Sequence, residues 1–176
     1  MTKLILYLND NEVQIIKNKL LVFTSPSINN SNIEVENLFL KDFKIFLKEH
    51  KLISSIVYTP IDIYLNYKVY PKDIIFYNYL FDKLGLTLNK VISIYELLSP
   101  DKKYLIYNKN SAYLIDNFKT YELNFSCLNF YLSSTQKLFV FGNKEFPYHN
   151  KHIIYSNYST YIVDLIKTSQ NSLWSF

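Results

Sequence analysis

Leu4-Ile5-Leu6-Tyr7-Leu8-Asn9-Asp10-Asn11-Glu12-Val13-Gln14-Ile15-Ile16 is two apolar runs hinged on an Asn/Asp turn, and Leu20–Thr24 adds a third run. Short apolar runs separated by Asn and Asp are strand and turn signals. The pattern returns later in the chain. A shift of 99 residues without a gap lays Leu6 on Leu105, Asn9 on Asn108, Asn11 on Asn110, Ile16 on Ile115 and Asn18 on Asn117. Val13-Gln14-Ile15-Ile16 falls on Ala112-Tyr113-Leu114-Ile115. Lys119–Phe125 follows the second copy as Leu20–Thr24 follows the first. A three-strand meander used twice predicts a duplicated α/β fold.

Outward from the first meander, Phe39, Phe43, Phe46, Leu47 and His50 recur on one face of a 3.6-residue period, which predicts a helix over Glu36–His50. Ile53–Tyr58 reads as a strand and Pro71–Leu84 as a second helix. Pro71 suits a first turn, and Gly85 suits a left-handed C-terminal cap. Lys90–Tyr95 reads as the next strand. Between them, Ile61, Ile63, Leu65, Tyr67 and Val69 alternate with Asp62, Tyr64, Asn66 and Lys68, the pattern of an extra edge strand. The second half continues with an apolar segment at Cys127–Leu132, strands at Lys137–Phe141 and His152–Tyr155, and a helix at Ser159–Thr168. In that helix Tyr161, Ile162, Leu165 and Ile166 share a face. The expected architecture is a duplicated βββαβαβ unit. A first half, 1–100, joins a shorter second half, 101–176, in one compact unit.

Composition narrows the chemistry. The 176 residues hold two glycines, Gly85 and Gly142, no arginine, and one alanine, Ala112. Glycine lets a backbone wrap closely round a phosphate. No stretch can therefore form a Gly-rich P-loop or a GxGxxG turn. Hydrophobic residues make up 49%, with 17 Tyr and 13 Phe, enough for a sizeable core. The net charge of +4 is scattered, with Lys102–Lys103 the longest basic run. There is no basic stripe and no Arg to read guanine, so nucleic acid is not the expected partner, although Lys and Tyr suit single-strand stacking. The single cysteine, Cys127, rules out an internal disulfide and points to a reducing compartment. No signal peptide or membrane-length apolar run is visible. The expected location is cytoplasmic, peripheral to an inner membrane through a partner.

A duplicated βββαβαβ unit is the architecture of the actin, Hsp70 and sugar-kinase superfamily, whose halves face each other across a nucleotide cleft. The sequence resembles the bacterial actins, MreB above all. The resemblance runs through Asn11–Val22 with Ser25-Pro26-Ser27, through Glu34–Lys48, through Ser55–Pro60 and through Leu84–Glu96. The related PilM and GspL assembly proteins come next. Against that family, the first phosphate loop, D-x-G-T, falls on Leu6-Tyr7-Leu8-Asn9. The metal-organising carboxylate is thus Leu6, and the loop glycine is Leu8. The second loop, D-x-G-G-G-T, falls on Leu105-Ile106-Tyr107-Asn108-Lys109-Asn110, and its Asp and glycines are gone. The adenosine-side glycines fall near Phe141-Gly142-Asn143, with one left. Glu96 matches a carboxylate of the region that positions water in relatives. The outer subdomains are missing, with Asn29–Asn32 in the place of the first. The resemblance therefore implies an actin-like, RNase H-like fold that has lost nucleotide chemistry, with no cofactor and no metal.

Asn9, Asn11, Asn108 and Asn110 read as turn residues, since Asn tolerates left-handed geometry. Lys109 is the cation among them. A metal-dependent RNase H-like nuclease would need Asp10, Glu96 and Asp164 together. His149 and His152 have the spacing of a ligand pair but no third ligand, and read as loop histidines. His50 sits where a helix C-terminus favours it. Leu128, Phe130 and Leu132 are candidates for an exposed apolar binding patch, and Trp174 and Phe176 for anchors in the tail. The expected function is a non-catalytic scaffold for protein partners: a membrane protein's cytoplasmic tail, another actin-like protein, or a second copy in a homodimer. The alternative is an enzyme, either a weak actin-like ATPase or a nuclease.

Overall fold

A computed structural model describes residues 4–9, 11–16, 20–29, 32–53, 59–107, 112–117, 119–124, 138–142, 153–156 and 158–172. The chain divides into two compact units, Met1–Ile94 and Tyr95–Phe176.

The first unit is built on β1 (Leu4–Asn9), β2 (Glu12–Ile16), β3 (Leu20–Thr24), a short hairpin of β4 (Ile28–Asn29) and β5 (Asn32–Ile33), α1 (Glu36–Glu49), β6 (Thr59–Leu65), α2 (Pro71–Asp82) and β7 (Leu86–Ser93). Its five-stranded sheet has the order β3-β2-β1-β6-β7, antiparallel in the meander and parallel from β1 to β7. The second unit, after a 3-10 turn at Ile94–Leu97, holds β8 (Lys103–Tyr107), β9 (Ala112–Asp116), β10 (Lys119–Leu123), β11 (Leu138–Gly142), β12 (Ile153–Ser156) and α3 (Tyr158–Ser172). Its sheet runs β10-β9-β8-β11-β12, the same order again.

The duplication holds to the residue in the first hairpin. Leu6 faces Ile15 and Leu8 faces Val13; 99 positions on, Leu105 faces Leu114 and Tyr107 faces Ala112. The third strand slips by one residue, since Leu20 faces Ile16 while Thr120 faces Ile115. Asn117 in that second turn has φ 48°, a left-handed value that Asn tolerates. The second copy is the shorter one. Leu6 pairs with Ile63 and Leu105 with Val140, so fewer residues separate the first and fourth strands.

Strand periodicity decides which side chains form the first core. Leu4, Leu6 and Leu8 project from one face of β1, with Val13, Ile15 and Phe23 beside them, and all are buried. α1 lays Phe39, Phe43 and Leu47 on this face at i, i+4 and i+8, and α2 adds Tyr77, Leu80 and Phe81. Rings of Phe23 and Phe39 stand 4.9 and 5.0 Å from that of Phe43, within aromatic packing range. His50 ends α1 as its position predicts: its ring stacks on Phe46 at 4.1 Å, and Nδ1 donates to the Phe46 carbonyl at 3.0 Å.

α2 starts on Pro71, with Asp73 accepting from the Tyr70 N–H at 2.8 Å, and its end passes into Gly85 at φ +72°. A Cβ at Gly85 would meet nothing within 4 Å, so a side chain there is strained by backbone conformation alone. Gly85→Ala should therefore cost about 1 kcal/mol, read as a small fall in the urea midpoint with an unchanged slope. A loss several times larger would mean that the capping turn also carries packing.

One expectation fails. The fourth strand of this sheet among the described residues is Thr59–Leu65; of the expected strand Ile53–Tyr58, residues 54–58 lie outside the described part. The alternating stretch read as an added edge is therefore the centre of the sheet, between β1 and β7. Its polar positions are buried as fully as its apolar ones: Asp62 is 0% and Tyr64 1% exposed. Alternation marks two faces but says nothing of whether the second is wet. Asp62 is accommodated there because Asn89 Nδ2 donates to its Oδ1 at 2.6 Å. Asn89 itself sits at the irregularity where β7 slips against β6.

Candidate functional site

The two first hairpins are where an actin-like cleft would hold phosphate. Leu6, at the position of the metal-organising carboxylate, is 2% exposed and packs in the aromatic core. Leu8, at the position of the loop glycine, is also in that core. In the second unit Leu105 is equally buried, in a core with Ala112, Leu123, Leu138 and Val140. Leu6 and Leu105, the two positions that the resemblance aligns with aspartates, thus both point their side chains into hydrocarbon.

Tyr107 ends β8 in register with Ala112 on one side and Gly142 on the other. The second hairpin and the surviving glycine, far apart in sequence, are therefore neighbours. Gly142 is the last residue of a strand. Asn108, Lys109 and Asn110 lie outside the described residues, as do Asp10, Cys127, His149 and His152. So do the partner-binding candidates Leu128, Phe130, Leu132, Trp174 and Phe176.

Asn9 is not a turn residue. It closes β1 opposite Glu12, is 6% exposed, and its Oδ1 has no hydrogen-bond partner among the described residues. The turn itself carries Asn11, which is exposed. Beside the hairpin lies an open groove of about 540 Å³ lined by Asn11, Thr24, Ser25, Pro26, Ile28, Asn29 and Glu34. Sequence reasoning missed it, because its residues come from three separate turns; Ser25-Pro26-Ser27 was the local signal. Ser25 and Ser27 are buried with their hydroxyls 2.8 Å apart, and Ser25 Oγ donates to Asp42 Oδ2 at 3.3 Å. Asn29 Nδ2 donates to Glu34 Oε1 at 2.9 Å, and Gln14 Nε2 to Glu12 Oε1 at 2.7 Å. The lining holds a carboxylate and no cation. A phosphate there would meet the Glu34 carboxylate with none of the positive charge that phosphate sites use.

Glu96 lies exposed in the 3-10 turn and Asp164 exposed on α3. Among the described residues no group of three His, Cys, Asp or Glu side chains is placed to hold a metal ion. Burial raises the pKa of three tyrosines, Tyr67, Tyr77 and Tyr95. Tyr77, whose hydroxyl is 3.2 Å from that of Tyr67, and the half-buried Tyr95 are both pushed well above the ordinary tyrosine range, chiefly by desolvation.

No protein-family model matches the sequence, and no characterised protein matches it by sequence. Among solved structures, the ethanolamine utilization protein EutJ from Carboxydothermus hydrogenoformans superposes with a TM-score of 0.50 at 7% identity, over 70% of this chain. With this likeness beside the repeated strand order, the fold is decided. It is a truncated actin-like fold. This chain spans about half of EutJ, 52% of that structure's length. The cytoplasmic domain of EpsL, an inner-membrane component of the type II secretion system of Vibrio cholerae, gives a TM-score of 0.49 at 6% identity, covering 100% of this chain and 96% of that one. A Pseudomonas aeruginosa protein described as similar to peptidase YeaZ gives 0.46 at 11% identity, covering 97% and 92%. Identities this low speak to the fold alone. Within the actin-like frame, the β4–β5 hairpin stands where a first outer subdomain is expected, and its strands are two residues each.

Proposed function

We propose that this chain is a non-catalytic actin-like scaffold that binds protein partners at the cytoplasmic face of a bacterial membrane. Its setting is either a cell-shape or division cytoskeleton, as the MreB-like stretches suggest, or a pilus, secretion or DNA-uptake platform, as the lack of outer subdomains suggests. One observation carries the loss of catalysis: Leu6 and Leu105, equivalent in the duplication, are both sealed into apolar cores at the positions where an actin-like ATPase needs aspartates. The groove beside the first hairpin, with a carboxylate and no cation in its lining, supports the same reading. No helix among the described residues is long and apolar enough to cross a membrane; in the proposed scheme membrane contact runs through partners. A weak ATPase would have to neutralise phosphate without these aspartates, and a nuclease would have to gather Asp10, Glu96 and Asp164.

Thermal unfolding with Mg-ATP or Mg-ADP tests the proposal. Ligand at a hundredfold excess over its dissociation constant adds about 2.7 kcal/mol, or several degrees in a domain of this size. The melting temperature should not move with either nucleotide. A clear rise overturns the nucleotide-free scaffold in favour of the ATPase.

A further inference from the structure

An edge strand presents unpaired backbone N–H and C=O groups, and proteins guard such edges with charge, bulges or brevity. Three edges among the described residues are guarded. β7 carries Lys90 and the irregularity against β6. β10 carries Lys119 and Glu122, both exposed. β12 is four residues long. β3 is different. Leu20-Leu21-Val22-Phe23-Thr24 has no charge and pairs with β2 in unbroken register along its whole length. On its outward row Leu20 is 46% and Val22 45% exposed.

The duplication supplies an internal comparison. β3 and β10 hold the same place in the two sheets. Val22 stands opposite Gln14, and at the equivalent register Glu122 stands opposite Tyr113. Leu20 stands opposite Ile16, and Thr120 opposite Ile115. Both rows are exposed, yet one is Leu and Val where the other is Thr and Glu. Solvent by itself favours the polar pair at both.

We infer that β3 pairs edge to edge with β3 of a second copy of this chain, antiparallel about a two-fold axis at Val22. In that register Val22 faces Val22 of the second copy, Leu20 faces Thr24, and Leu21 faces Phe23. A strand without charge meets itself without like-charge repulsion, and the contact is self-complementary, as a closed dimer requires. Pairing with β10 of the second copy would set Lys119 and Glu122 against Leu and Val and strip their water. It would also leave a further edge free to grow an open filament. The inference goes beyond the scaffold reading and needs neither a membrane nor the absence of nucleotide.

Sedimentation velocity of the full chain over a wide concentration range tests it, with circular dichroism and melting temperature as folding controls. The parent should pass from monomer to dimer as concentration rises. Val22→Glu, which the fold already carries at the equivalent position in β10, should raise the dissociation constant about tenfold or more by setting two carboxylates face to face, with an unchanged melting temperature for the monomer. Should that variant lose its fold, Leu20→Thr, also matched to β10, should weaken the dimer in the same sense. Tyr121→Lys on β10 should leave the dimer intact. A monomer at every concentration, a dimer indifferent to both β3 variants, one lost with Tyr121→Lys, or growth beyond a dimer each overturns the inference.

Discussion

Leu6→Asp is expected to abolish cooperative unfolding, not to rebuild a metal site. The substitution restores the residue type of the actin-like phosphate loop, but the side chain would enter the core between Ile15 and Ile63, where Leu6 is 2% exposed. A carboxylate there has no described cation to meet, and it would either ionise at high cost or stay protonated and unsatisfied. The loss should be about 5 kcal/mol or more, at the far end of single-mutant effects. A domain is stable by only about 5–15 kcal/mol. Urea titration followed by circular dichroism should show a broad, non-cooperative transition. Leu6→Met, which keeps volume and polarity, should lose less than about 1.5 kcal/mol. A folded Leu6→Asp protein stabilised by Mg-ATP would mean that position 6 opens to a cleft, and would sink both the core assignment and the scaffold reading.

Phe43→Ala should give the second large effect. Phe43 is 0% exposed and lies against Phe23, Phe39 and Phe81, with ring centroids 4.9, 5.0 and 6.3 Å away. It joins α1 to both β3 and α2. Truncation removes the transfer energy of the ring and leaves a cavity, together about 3–5 kcal/mol. The urea midpoint should fall accordingly, with little change in slope. Phe46→Ala, on the half-buried flank of the same helix, should cost clearly less. Equal losses at the two positions would show that burial of α1 is not ordered as described.

Much of this was legible in local pattern. The apolar runs at Leu4–Asn9 and Glu12–Ile16 joined by an Asn/Asp turn, and their echo 99 residues on, placed both meanders, and their registers agree. The helical period of Phe39, Phe43 and Leu47 located α1 and its buried face. Pro71 and Gly85 bracketed α2 because each has a conformational reason to be there. Other features were not legible. The stretch at Ile61–Leu65 alternates like an edge strand and is a central one. Asn9 looked like a turn residue and is a buried strand end whose oxygen has no partner among the described residues. The groove from Asn11 to Glu34 has no motif, because its wall is assembled from three turns.

The sequence by itself determined the repeated hairpins, the helix faces and the matching leucines at 6 and 105, since each depends on residues close along the chain. Tertiary structure alone decided which strand is central, that the leucines at 6 and 105 face hydrocarbon, and that among the described residues β3 is an uncharged edge strand while β10 carries charge. Those outcomes depend on pairings between strands distant in sequence, and on whether the second face of a sheet is covered. Periodicity within one strand carries no information about either.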